Sequence, residues 1–181
     1  MVEAATITHM GMVNLYASMP HYYTYFKRHA ANADETSFRL ALGRQLESMG
    51  QRLLDGSEQR PHLLTQEQHQ IIDLMTDDLS TILRLLNRTG VIRLVDEPDV
   101  CIPLLNDLDR QLIMLLEHMW MCTSSMFCGD QEHFDRTAAT MAACLAHFLD
   151  LAENRNNQLG LGWESEFRGF DSHIESNEED I

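Results

Sequence analysis

Basic side chains are scarce in this chain: 13 Lys and Arg stand against 28 Asp and Glu, for a formal net charge of −15 over 181 residues. A surface so short of cations repels phosphate backbones and anionic lipid, which argues against direct nucleic-acid binding and against attachment to anionic membrane. Cysteine is scarce as well. Cys101, Cys122, Cys128 and Cys144 show neither CxxC spacing nor the density of a secreted disulfide scaffold, so a reducing, cytoplasmic setting is expected. The opening Met1-Val2-Glu3-Ala4-Ala5-Thr6 carries an acid where a signal peptide has its basic segment. No apolar run approaches the roughly 18 residues that would cross a bilayer, and a soluble protein with no membrane role is the reading.

Signatures of catalysis are also missing. There is no Gly-x-Ser-x-Gly elbow and no phosphate-cradling glycine loop. The nine histidines invite comparison with di-iron helical proteins, but the inward Glu and His pairs that such sites require are not found. The sequence therefore points away from an enzyme, although a site dispersed over several helices leaves no linear trace.

What the chain does have is helical periodicity. Phe134, Ala138, Met141, Leu145, Phe148 and Ala152 recur at alternating intervals of four and three, which places them on one helix face. Phe38, Leu42, Leu46, Met49 and Leu53 form a second stripe, expected to start from Thr36 as N-cap and to stop at Asp55-Gly56. A third runs through Ile71, Ile72, Met75, Leu79, Ile82 and Leu86 to Gly90 from the capping-box sequence Thr65-Gln66-Glu67-Gln68. A fourth carries Leu105, Leu108, Leu112, Leu115, Leu116 and Met119 and is capped near Gly129, with Asp130 as N-cap of the last helix.

Helix is thus predicted over the cores of 38–54, 68–86, 104–126 and 132–156. Pro20 separates two shorter helix-compatible pieces upstream, and Pro98 and Pro103 bound a loop. Val91-Ile92-Arg93-Leu94-Val95 alternates like a strand but has nothing to pair with, so a packed connector is favoured. The expected fold is all-α: a bundle of four long amphipathic helices over 1–162, preceded by one or two shorter ones, with an acidic C-terminal extension over 163–181.

Three groups of residues stand out as candidate sites. His118, Cys122 and Met126 are spaced by four, and imidazole, thiolate and thioether together suit haem or a soft transition metal. Against this, Met126 lies on the apolar stripe and is already needed as core. No cofactor is the main expectation. Gly43 and Gly50, seven apart within one helix, each cost about 1 kcal/mol relative to Ala. With Ala139 and Ala146 on the last helix they predict close helix packing, within the chain or across a homodimer.

The extension carries Trp163, Phe167, Phe170 and Ile174 at intervals of four, three and four, the anchor pattern of helix-in-groove recognition. Docking of the same aromatics on the chain's own helices explains the pattern equally well. The functional expectation is a non-enzymatic adaptor, regulator or chaperone that holds a basic or amphipathic protein partner in a groove between helices. The alternative is a helical sensor of metal, haem or a small ligand.

Overall fold

The computed structural model describes residues 13–22, 28–60, 63–88, 90 and 92–161, with only the backbone described over 28–33. The described residues form helices and their connections, with no strand among them, so the all-α expectation holds. A short helix α1 covers 13–17. Four long ones follow: α2 (Arg28–Glu58), α3 (Gln66–Leu86), α4 (Pro98–Ser125) and α5 (Gln131–Gln158).

The stripes read from the sequence are the core. Phe38, Leu42, Leu46, Met49 and Leu53 of α2, Leu112, Leu116 and Met119 of α4, and Met141, Phe148 and Ala152 of α5 are fully buried. Both caps form as expected. Thr65 accepts from the Gln68 amide at 3.2 Å while the Gln68 side chain accepts from the Thr65 amide at 3.1 Å. Asp130 accepts from the His133 amide at 2.9 Å.

Several helix bounds differ from those read from the sequence. α2 begins at Arg28 rather than near Thr36, and it runs through Gly56 to Glu58. Glu35 is held inside the helix by ion pairs, so tertiary contact outweighs the capping tendency of Thr36. α3 ends at Leu86, capped by Asn87, short of Gly90. α4 starts at Pro98, with Pro103 inside it. Pro98 suits a first helical position, where the absent amide has no partner to lose. Pro103 removes one backbone bond near the helix start, and burial of Cys101, Ile102 and Leu105 around it holds the turn.

Contacts give the arrangement. α2 touches α3, α3 touches α5, α5 touches α4 and α4 touches α2. Gly43 lies against Leu83 and Gly50 against Leu79, so α2 and α3 run antiparallel. α3 and α5 run parallel, because Gln68 meets Asp135 near their starts and Asn156 meets Leu85 near their ends. The connection from α3 to α4 therefore passes over the end of α5. There the amides of Arg93 and Val95 donate to the carbonyls of Leu159, at 3.0 Å, and Gln158, at 3.3 Å, and the alternating run is a connector. Gly160 permits the crossing. It adopts φ +68, and a Cβ there would stand 2.4 Å from the Arg93 carbonyl oxygen.

Candidate functional site

Two features emerge from this packing, at opposite ends of α3 and α5. The first is a buried ionic cluster. Glu35 and Arg39 sit one turn apart on α2, Asp109 on α4 and Arg155 on α5, and Tyr22 enters from the segment before α2. Arg155 is 0% exposed and spends each guanidinium nitrogen on a different partner. Its Nε donates to Asp109 at 2.5 Å, Nη1 to Glu35 at 2.8 Å and Nη2 to the Tyr22 hydroxyl at 3.1 Å. Tyr22 in turn donates to the second oxygen of Asp109. Arg39 Nε donates to Glu35 at 2.8 Å, and its Nη1 reaches the carbonyls of Leu86 and Arg88.

Two carboxylates and two guanidiniums balance, which is what allows so many charged groups inside one fold. Burial pushes the Asp109 carboxyl above its ordinary range, while Arg155 and Tyr22 pull against that rise. For Arg155, burial favours the neutral form, but Asp109, Tyr22 and Glu35 overcome it and hold the guanidinium charged. Perturbed titratable groups often mark a catalytic centre. Here Arg155, Asp109, Glu35 and Tyr22 are at most 1% exposed and bonded to one another, so a substrate has no approach. The cluster is a tie between the N-terminal segment, α2, α4 and α5.

Sequence reasoning passed over this cluster, and the signal that marks it is positional. Arg155 extends the stripe of α5 by one further step of three from Ala152, and Asp109 falls four after Leu105 and three before Leu112. Charged residues occupy positions that the helix period assigns to the core.

The second feature is an open groove of about 600 Å³ between α3 and α5, the size of a ligand cleft. Ile71, Leu74 and Met75 form one wall, and Ala138, Ala139 and Ala142 the other. Leu74 is 64% exposed, a large apolar side chain left facing solvent. The small residues of α5 keep the opposing wall low. Glu67, Asp78 and Asp135 are the charged residues of the lining, and all three are acids.

The candidate residues read from the sequence divide among these surroundings. Ala139 lines the groove, and Ala139 and Ala146 are both exposed, so among the described residues no helix closes over them. Outward-facing positions of α5 carry these alanines, and among the described residues no close helix crossing forms at them. A Cβ on Gly43 would meet Leu83 at 3.6 Å and one on Gly50 would meet Leu79 at 3.7 Å, which are ordinary contacts. The tight approach is at Gly56, where a Cβ would fall 2.3 Å from the Phe127 ring.

His118 is exposed whereas Cys122 and Met126 are buried in the core. The α4 backbone thus turns the imidazole to solvent and the two sulfur groups inward. Among the described residues no three His, Cys, Asp or Glu side chains converge to hold a metal ion. Burial, with Cys144 adding to it, pushes the Cys122 thiol up, which disfavours the thiolate that metals require. Trp163, Phe167, Phe170 and Ile174 lie outside the described residues. Among the described residues no helix is long and apolar enough to cross a membrane.

Comparison with protein-family models, with curated proteins and with solved structures finds no match to the chain.

Proposed function

We propose that the protein is a non-enzymatic adaptor, regulator or chaperone, a bundle of four long helices with an acidic extension over 163–181, that receives a basic amphipathic helix of a partner protein between α3 and α5. The observation that carries this is the lining of the groove: an apolar floor with an exposed Leu74, bordered by Glu67, Asp78 and Asp135 and, among the described residues, by no cation. An amphipathic helix offers an apolar stripe to such a floor and charges to its borders, and the net charge of −15 steers a basic one toward it.

Charge favours a foreign basic helix over the chain's own extension as the occupant. Residues 163–181 carry seven acids and one arginine, the sign of charge that Glu67, Asp78 and Asp135 repel. A foreign basic helix meets no such repulsion.

The test uses a fluorescein-labelled 18-residue helix of Leu and Lys, with Leu at i, i+3, i+4 and i+7. Ala142→Trp fills the groove from an exposed position. Fluorescence anisotropy is expected to show at least tenfold weaker binding with an unchanged helical spectrum. A control, Met114→Trp on the exposed face of α4, is expected to bind as the parent does. Equal binding by the parent and Ala142→Trp would reject the groove as the site.

A further inference from the structure

Gln68 has two tasks, and the second bears on the groove. Its backbone amide donates to the Thr65 hydroxyl at 3.2 Å and its side-chain oxygen accepts from the Thr65 amide at 3.1 Å, which closes the cap of α3. The side-chain nitrogen is left over, and it donates across the groove to Asp135 Oδ1 at 3.2 Å. Gln68 is 3% exposed, so its amide is shielded from competing water, while Asp135 on the facing helix is exposed. One buried amide therefore joins the first turn of α3 to the start of α5.

We infer that Gln68 is a positioning residue that holds the Asp135 carboxylate in place as a cation receptor at one end of the groove, so that the groove selects a helix bearing Lys or Arg at that end. This rests on the reading of the α3/α5 groove as a peptide site and names the chemistry it selects. Asp135 Oδ1 is occupied by Gln68 and, among the described residues, Oδ2 has no hydrogen-bond partner. A carboxylate with one oxygen fixed presents the other at a defined place, which reduces the ordering cost when an ammonium or guanidinium arrives.

Glu67 lines the same end, adding a second negative charge, and Asp78 lines the opposite end of the same wall. The separation from Glu67 to Asp78 is three helical turns, roughly 16 Å. The occupant is accordingly a helix of about three turns with cations at both ends and an apolar stripe between them. The acids sit on exposed surfaces, so their contribution falls as salt rises.

The experiment uses two labelled probes, the Leu/Lys helix and its Leu/Glu counterpart, with the full-length protein. The parent is expected to prefer the Lys probe by at least tenfold. Gln68→Met keeps the length and apolar bulk of the side chain but loses the amide, and is expected to reduce that preference three- to tenfold. Thr65→Ala breaks the cap without touching Asp135 and is expected to leave the preference as in the parent. Glu67→Lys with Asp135→Lys is expected to reverse it toward the Glu probe.

Equal preference in the parent and Gln68→Met overturns the positioning role. An equal loss in Thr65→Ala and Gln68→Met overturns it too, because capping then accounts for the effect. Binding of neither probe by the parent rejects the groove reading itself and this inference with it. Unfolding midpoints, taken for every variant, separate a loss of selectivity from a loss of structure.

Discussion

Arg155 stands where the period of α5 calls for an apolar side chain, and its surroundings show what such a substitution requires. It stacks over Phe38 at 5.3 Å and is ringed by Asp109, Glu35 and Tyr22. Arg155→Met keeps the volume and removes the charge, leaving Asp109 buried without a cation and Glu35 with Arg39 alone. The expected loss is about 3–5 kcal/mol, read as a lower urea midpoint at unchanged m-value.

Thiol reactivity provides a second check at this scale. Cys128 is exposed, while Cys101, Cys122 and Cys144 are buried. Burial also raises the thiols of Cys122 and Cys144, so at pH 8 less of each is thiolate than in an ordinary cysteine. A disulfide reagent added to native protein is expected to titrate one thiol quickly, and the other three at the rate of unfolding. Fast reaction of two or more thiols would show that the α4/α5 seam is open.

At the scale of the element, glycine separates local propensity from packing. Gly43→Ala and Gly50→Ala place a methyl group at ordinary contact distance from Leu83 and Leu79. Each is expected to stabilise by about 0.5–1 kcal/mol, the helix preference of Ala over Gly. Gly56→Ala is expected to have the opposite sign, because the added methyl displaces a Phe127 ring that already rests against Phe134 at 6.1 Å between centroids. A loss of about 1–3 kcal/mol by thermal or urea unfolding is the expected outcome. In the sequence Gly56 reads as the stop of a helix, since an Asp-Gly pair ends many of them. In the fold it is the place where α2 admits the end of α4.

The four long helices were legible because a 3.6-residue period survives in any sequence that buries one face of each helix. The caps Thr65 and Asp130 were legible because capping is local chemistry. What could not be read was which helices become neighbours. The groove depends on α3 and α5 lying side by side and parallel, and no spacing within either helix records that. Ala139 was visible as an unusual small residue, yet its surroundings are solvent and the α3 wall rather than a tight crossing. The ion pair of Glu35 and Arg155 joins residues 120 positions apart and is equally beyond a linear reading.

At the scale of the whole molecule, the proposed function has the charge of −15 and the acidic groove acting in sequence. On that proposal, long-range attraction would bring a basic helix to the surface, and burial of its apolar stripe on Ile71, Leu74 and Met75 would then hold it. Salt screens the first stage strongly and, in the second, weakens the contacts to the exposed acids but not the apolar burial. Raising ionic strength is therefore expected to lower the association rate of the Leu/Lys probe strongly and to raise its dissociation rate by a smaller factor, as stopped-flow fluorescence would show. A salt effect confined to dissociation would show that the net charge plays no part in the approach.

The central claim, that the space between α3 and α5 is the binding site, is tested most directly by amide chemical-shift mapping of the isotope-labelled protein as the Leu/Lys helix is added. The expected result is a saturable set of shifts centred on Ile71, Leu74, Asp78, Asp135, Ala139 and Ala142, with the exposed α4 positions Val100, Met114 and Met121 unmoved. Shifts concentrated on α4, or spread evenly over every acidic residue of the surface, would contradict it.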